Sequence, residues 1–346
     1  MNGTCSPLDW TRIGRDVDAA PSILNTRPWS FAAAGGDRIE LRPRWDRHLT
    51  VIDPRHRELL ISCGAALFNL RLAIRVTGHD PVVWLLPGQT GSAPVCEHCG
   101  ERCGVGDLLA SVEIILRRAH PATVTEQRLH EAIPQRHTAR QPFGRPIQMN
   151  MLAELEQAAR MEGAEARLLH RGETRHLLRQ AARADGRLGH DPRYREQLAG
   201  WTGPDRADGL GVPSPKFGPK PRKEHYPPVR DFGLAAPGPR VMMKFEKHPQ
   251  LIALETRTDT PSDWLRAGQA LQRLLLTATY YGVSASFLTQ QLEDRDGNVY
   301  SGQAGNQWWP WPWPAQMIIR VGGAGRGIAQ PAGGTTGRSG GDAVMQ

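Results

Sequence analysis

The chain has 346 residues, 39% hydrophobic and 23% charged, ordinary values for a soluble globular protein with a sizeable core, arranged as two domains or two halves of one large one. Its formal net charge is +8. The basic residues are mostly arginines scattered among acids, which reads as a solvated basic surface, with attraction of a phosphorylated ligand as a lesser reading and nucleic acid set aside.

The N-terminus, MNGTCSPLDW, has neither a basic region nor an apolar run, so no signal peptide is expected. Five cysteines without a secretion signal suggest free thiols in a reducing cytoplasm. Residues 1–36 are rich in turn formers and read as irregular. DRIELRPRW (37–45) alternates like a strand. A long helix is expected within 53–78, with Asp53 as N-cap, Pro54 at the first helical position and Gly78 as the stop. This stretch is the most apolar in the chain, yet Asn69, Arg71 and Arg75 mark it as a core helix rather than a membrane span. DPVVWLLP (80–87) and SVEIILRRA (111–119) read as strands. A helix follows at about 149–161, then strands at VMMKFE (241–246) and LIALETRT (251–258). A second long helix covers 260–282, with Thr260 as cap, Pro261 behind it and Gly282 after it; QMIIRVGG (316–323) reads as a last strand.

The two long helices carry the same stripe. Leu60, Cys63, Gly64, Leu67, Leu70 and Ile74 match Trp264, Ala267, Gly268, Leu271, Leu274 and Ala278, each pair 204 residues apart. Any buried helix has an apolar stripe. The matched small pairs, Cys63-Gly64 and Ala267-Gly268, say more, because small residues let a helix approach its neighbour closely. The chain therefore reads as an N-terminal half, 1–125, and a C-terminal half, 126–323, each built around a buried helix, followed by a low-complexity tail, 324–346. Two such halves on one chain often stand in for the two subunits of a dimer, so a monomer is expected. Residues 204–239 hold nine prolines and cannot form regular structure. They are read as a lid over a site or as plain disorder.

No G-x-S-x-G, P-loop or H-E-x-x-H occurs, and no G-x-G-x-x-G joins a strand to a helix. CEHCGERC gathers Cys96, His98, Cys99 and Cys103. This is either a weak zinc or redox candidate or a surface loop with free thiols, since a full zinc site would need His98 or a distant ligand. Two other segments are richer. APSILNTRPWSF (20–31) offers small polar side chains with Pro and Trp as apolar walls, which suits a planar ligand. AIPQRHTARQPF (132–143) clusters Arg136, His137, Thr138 and Arg140, donors that suit a phosphate. Taken alone, each is read as an ordinary loop.

Together the two segments resemble the flavin-binding signature of the nitroreductase-like family: Ala20-Pro21-Ser22-x-x-Asn25-x-Arg27-Pro28-Trp29 for the ring element and Arg136-His137-Thr138-x-Arg140 for the phosphate arm. Their order, with the stretch 263–290, is similar to actinobacterial oxidoreductases of the Acg type, tandem relatives of nitroreductases, over residues 15–322. The resemblance implies an α+β nitroreductase-like fold, with an antiparallel sheet packed by helices in each half. It implies FMN as cofactor, held through its phosphate by Arg136, Thr138 and Arg140 and along its ring by Pro21, Ser22 and Asn25, with Arg27 where relatives carry Gln. His137 belongs to the arm. Ser286–Gln290, including Thr289 and Gln290, would approach the flavin. NAD(P)H would pass hydride through FMN to a nitro compound or quinone, with no side-chain acid or base required. A flavin-storage protein closed by the 204–239 loop is the competing expectation.

Overall fold

The structure, a computed structural model, describes residues 8–87, 106–115, 121–203, 206–222, 229–234, 238–293 and 313–323. Cys96, His98, Cys99, Cys103 and the tail 324–346 lie outside the described residues.

The segment expected to be irregular begins with a helix, α1 (Trp10–Asp18). The Asp9 carboxylate caps it by accepting from the Thr11 and Arg12 N–H groups at 3.1 Å. Only Ile13 and Val17 are buried on it, while Trp10 is exposed, and three apolar positions in nine residues announce a helix only faintly. The chain then makes a tight turn through 22–27 and enters β1 (Trp29–Ala33), which pairs antiparallel with β2 (Arg38–Pro43).

α2 (Arg57–Val76) starts later than Asp53 and Pro54 suggest. The chain turns once more, His56 occupies the N-cap with a left-handed φ of 61°, and Asp53 reaches in from upstream to accept the Leu59 N–H at 2.7 Å. Gly78, at φ 89°, turns the chain out of the helix as expected. By length and composition α2 is apolar enough to cross a membrane, but it is buried within the fold. β3 (Asp80–Leu85) and β4 (Ala110–Ile115) complete an antiparallel sheet of order β1-β2-β4-β3.

The second part brings α3 (Val124–Ala132), α4 (Met149–Arg160), β5 (Glu165–Leu168), α5 (Arg171–His190) and α6 (Pro192–Gly200). Of these only α4 is expected from the sequence; α3, β5, α5 and α6 are not. In α5 the arginines dilute an apolar face made by Leu177, Leu178, Ala181 and Ala184. The proline-rich region that follows is irregular apart from two-residue pairings: β6 (Thr202–Gly203) with β7 (Val212–Pro213), and β8 (Lys220–Pro221) with β9 (Met242–Met243). The strand expected over 241–246 is thus only two residues long. β10 (Gln250–Glu255) follows, then α7 (Pro261–Tyr280), whose Thr260 and Asp263 form the anticipated capping box. β11 (Val283–Phe287), the short α8 (Gln290–Glu293) and β12 (Ala315–Gly323) end the described chain. The second sheet, β11-β12-β10-β5, is also antiparallel throughout.

Both sheets share one plan. In each, the first and second strands pair, the fourth lies beside the second, the third lies at the edge, and a twenty-residue helix joins the second to the third. α2 and α7 pack against each other at their matched small residues. A Cβ on Gly64 would lie 3.0 Å from the Gly268 Cα and collide with the Leu265 carbonyl; one on Gly268 would lie 2.8 Å from the Gly64 Cα and collide with the Ile61 carbonyl. Every residue of both stripes is buried. The second sheet is covered on two faces: Ile252 and Leu254 face the central core, while Leu251 and Ala253 face α5 and α8. That is why β10 and β12 read as near-continuous apolar runs.

Candidate functional site

The turn 22–27 is built under strain. Leu24, Asn25 and Arg27 take left-handed φ values of 43°, 56° and 46°, a conformation that costs about 1–3 kcal/mol per non-glycine residue unless its surroundings dictate it. They do. Ser22 Oγ accepts the Arg27 N–H at 3.0 Å, and Ser62 Oγ on α2 accepts the Ile23 N–H at 3.1 Å. The Cys63 thiol donates to the Pro28 carbonyl at 3.2 Å. Burial pushes that thiol's pKa up, which keeps it a neutral donor. The special residues of 20–29 thus moor a turn on the N-terminal half of α2.

The second segment arrives on the opposite wall. After α3 and the short 3-10 turn Ile133–Gln135, the Ala139 N–H donates to the Ala285 carbonyl on edge strand β11 at 2.8 Å, which lays 136–142 along the second sheet. Between the two walls lies a cavity of about 1160 Å3, large enough for a cofactor-sized ligand. It is lined by Pro21, Ser22, Asn25 and Arg27 from one side, by Arg136, His137, Thr138 and Arg140 from the other, and by Thr289 near its base. Of the ten positions expected to hold the cofactor, nine line this cavity. Gln290 does not: it is fully buried in α8, with its amide donating to Asp185 at 3.3 Å.

Two of the cavity's cations, Arg136 and Arg140, lack counter-charges among the described residues, whereas Arg230 is paired with Glu293. Arg136 reaches only the Ala19 carbonyl, at 3.4 Å, and its Nε is buried without a partner. Arg140 donates to the Lys216 carbonyl at 3.0 Å and stacks over the Phe232 ring. Burial pushes both guanidinium groups down to about 10, and for Arg140 the charges of Arg230 and Arg136 add to the effect. The Arg27 Nε is likewise buried and unpartnered, while its Nη1 stands 3.9 Å from the half-exposed Asp18. Burying unpaired positive charge is costly. An anion with several acceptor oxygens would relieve it, and phosphate fits this donor set.

Four features escape a linear reading. First, the Asn25 side chain does not lie free for a ligand: its amide donates to the Gly209 and Gly211 carbonyls at 3.0 Å each, and its backbone carbonyl accepts the Gly211 N–H. Asn25 therefore ties the proline-rich region to the turn. Second, that region roofs the cavity through Val212, Pro213, Lys216 and, further on, Val229, Arg230 and Phe232. Phe217 and Phe232 stack at 5.5 Å, and Gly218, at φ 78°, lets the backbone pass against Arg140, where a Cβ would lie 2.8 Å from the Arg140 Cβ. Third, Glu58 and Ser62 of α2 line the cavity. Fourth, Arg230 is clamped from beneath by an ion pair with Glu293, by Thr289 Oγ1 at 3.0 Å and by Tyr194 Oη at 3.2 Å. Glu58 and Arg230 carry no sequence mark that separates a buried charge from a surface one.

No protein-family model matches the chain. A Mycobacterium tuberculosis (strain H37Rv) protein named "Putative NAD(P)H nitroreductase Rv3131" is 30% identical over 312 residues, 88% of this chain and 81% of the relative. "Putative NAD(P)H nitroreductase acg" from the same organism is 24% identical over 79% of this chain and 78% of its own length. Among solved structures, a Bacteroides fragilis nitroreductase with bound FMN aligns with 63% of this chain and 98% of its own, at 15% identity and a TM-score of 0.33.

Proposed function

The chain belongs to the nitroreductase-like family, in its Acg-type branch, and from that premise we propose that it is an FMN-dependent oxidoreductase passing hydride from NAD(P)H to a small oxidant such as a nitro compound or a quinone. The observation that carries the reading is the pair of half-buried arginines, Arg136 and Arg140, facing the moored 22–27 turn across one cavity without an anionic partner among the described residues. FMN would supply the two-electron redox chemistry.

The chain's own residues do the rest. Arg136 and Arg140, with the Thr138 hydroxyl between them, hold the phosphate. Pro21 and Ser22 seat the ring along the turn, and Asn25 keeps the roof over it. The shared strand order of the two sheets and the reciprocal Gly64–Gly268 contact support a tandem architecture, 1–125 and 126–323, in which one chain supplies both walls that two subunits would otherwise bring. On that reading the protein works as a monomer, and we place it in the cytoplasm.

The roof favours a second reading, flavin storage. Val212, Pro213, Lys216 and Phe232 cover the cavity, and a closed roof leaves no room for a nicotinamide. One experiment separates the two. The purified protein is examined for a flavin absorbance band and then mixed with NADPH without oxygen. Bleaching supports the reductase, an unresponsive flavin supports storage, and a colourless protein that takes up no FMN contradicts both.

A further inference from the structure

None of the nine residues that meet at the cavity is a carboxylic acid, yet one buried acid is among its lining. Among the described lining residues two carry carboxyls. Asp18 is more than half exposed and faces Arg27. Glu58, in the first turn of α2, is 5% exposed and shares its cavity-facing side of the helix with Ile61 and Ser62. The cavity that Glu58 enters also receives the unpartnered, buried Nε atoms of Arg27 and Arg136, which mark it as a ligand site independently of the acid.

Resting on the oxidoreductase reading, we propose that Glu58 is a catalytic residue, the proton donor to the acceptor reduced in this cavity. The charge balance around it supports this. Glu58 Oε1 accepts from Arg57 Nη2 at 3.2 Å. Asp53, in the turn before α2, competes for the same guanidinium, which also donates to the Gln316 carbonyl. From α8 comes Glu293, already paired with Arg230 of the roof. Asp53 and Glu58 thus share the Arg57 guanidinium, while Arg230 is paired with Glu293 and also faces Asp185. α6 contributes Tyr194, which donates toward Glu293 at 3.5 Å, and α5 contributes Asp185, held by Gln290. Behind Asp53, the His48 Nε2 lies 2.8 Å from its carbonyl, with His56 beyond at 2.9 Å. Burial and the Glu293 charge push Glu58 up to about 8, against the pull of Arg57 and Arg230. The group therefore carries a proton under working conditions.

The chemistry balances. A quinone becomes a hydroquinone by taking up two electrons and two protons. Hydride carries both electrons and one proton. The second proton leaves Glu58 as its carboxyl O–H bond breaks and an O–H bond forms on the substrate oxygen. The carboxylate left beside Arg57 regains a proton from water. Ferricyanide, by contrast, takes up electrons and no proton.

The test compares these two acceptors in the holoenzyme and in Glu58→Gln across pH. In the wild type, quinone turnover falls above about pH 8 while ferricyanide turnover does not follow it. Glu58→Gln lowers the quinone-to-ferricyanide ratio at least about tenfold at neutral pH, in keeping with the 10²–10⁴ range for general acids, and erases the alkaline limb. An unchanged ratio or a surviving limb overturns the proposal. A second readout uses the cofactor-free protein. With the pKa raised in the folded state, the native chain binds the extra proton between about pH 4.5 and pH 8, so this group's contribution falls as pH rises through that window. The wild-type melting temperature therefore drops relative to Glu58→Gln toward alkaline pH, and parallel curves contradict a protonated Glu58. Should Glu58→Gln fail to fold, Glu58→Asp keeps the limb and loses quinone turnover if the proposal holds, and keeps both if it does not. A wild type that binds no flavin overturns the reading beneath, and this proposal with it.

Discussion

The two sheets differ in one connection. Between β1 and β2 the chain turns back through residues 34–37. Between the equivalent β5 and β10 it inserts 169–249, which includes α5, α6 and the roof over the cavity. The seam between α2 and α7 follows the opposite rule, with Gly64 and Gly268 meeting reciprocally. Even the ion pair between Arg55 and Asp259, at 3.2 Å, joins positions 204 residues apart. The shared strand plan thus holds in the core and departs at the site, where the long connection of the second sheet supplies a cover. A symmetric scaffold does not require a symmetric site.

The largest way to break this comparison is at the seam. Gly268→Ala drives a methyl into the Ile61 carbonyl, and backbone cannot yield as a side chain can; a loss of about 3 kcal/mol or more is expected, at the upper end of overpacking costs, read as a fall in melting temperature. Gly14→Ala in α1, with nothing within 4 Å of the added carbon, is the contrast, with a gain of up to about 1 kcal/mol from helix propensity. The next effect is at the cavity. Removing either forked donor, Arg136→Ala or Arg140→Ala, weakens FMN binding by about 10- to 100-fold, from about 1.5–3 kcal/mol per charge-assisted contact. Because an unpaired, half-buried charge is also removed, the flavin-free melting temperature holds or rises. A variant that loses stability and keeps its flavin would make these arginines scaffold. The smallest effect is expected from Arg27→Gln, which removes a cation bordering the cavity and lowers the potential of bound FMN by on the order of 30 mV, measured by redox titration.

The seam was legible because its signal is local. Small residues inside apolar stripes at helical spacing carry their own reading, and the predicted burial of Cys63 and Gly64 follows from it. The caps were half legible: Thr260 behaves as written, but Asp53 caps from one turn upstream because the chain bends at His56. α1, β1 and α5 were hidden, one by brevity, one by the prolines around it and one because its apolar stripe is narrow beside a solvent face rich in arginine. At the site, Arg136 and Arg140 stood out as a cluster. The Asn25 bonds to Gly209 and Gly211 and the exclusion of Gln290 depend on chain crossings more than a hundred residues apart, which periodicity does not report. Glu58 and Arg230 look like any surface charge until the fold buries them.

The most direct measurement of the central claim is the phosphate contact itself. The purified wild type and the double variant Arg136→Ala/Arg140→Ala are each titrated with FMN and, separately, with riboflavin, which lacks the phosphate. The wild type should prefer FMN by 100-fold or more, about 2.7 kcal/mol, and the double variant should bind the two alike. Equal binding of FMN and riboflavin by the wild type would contradict the account.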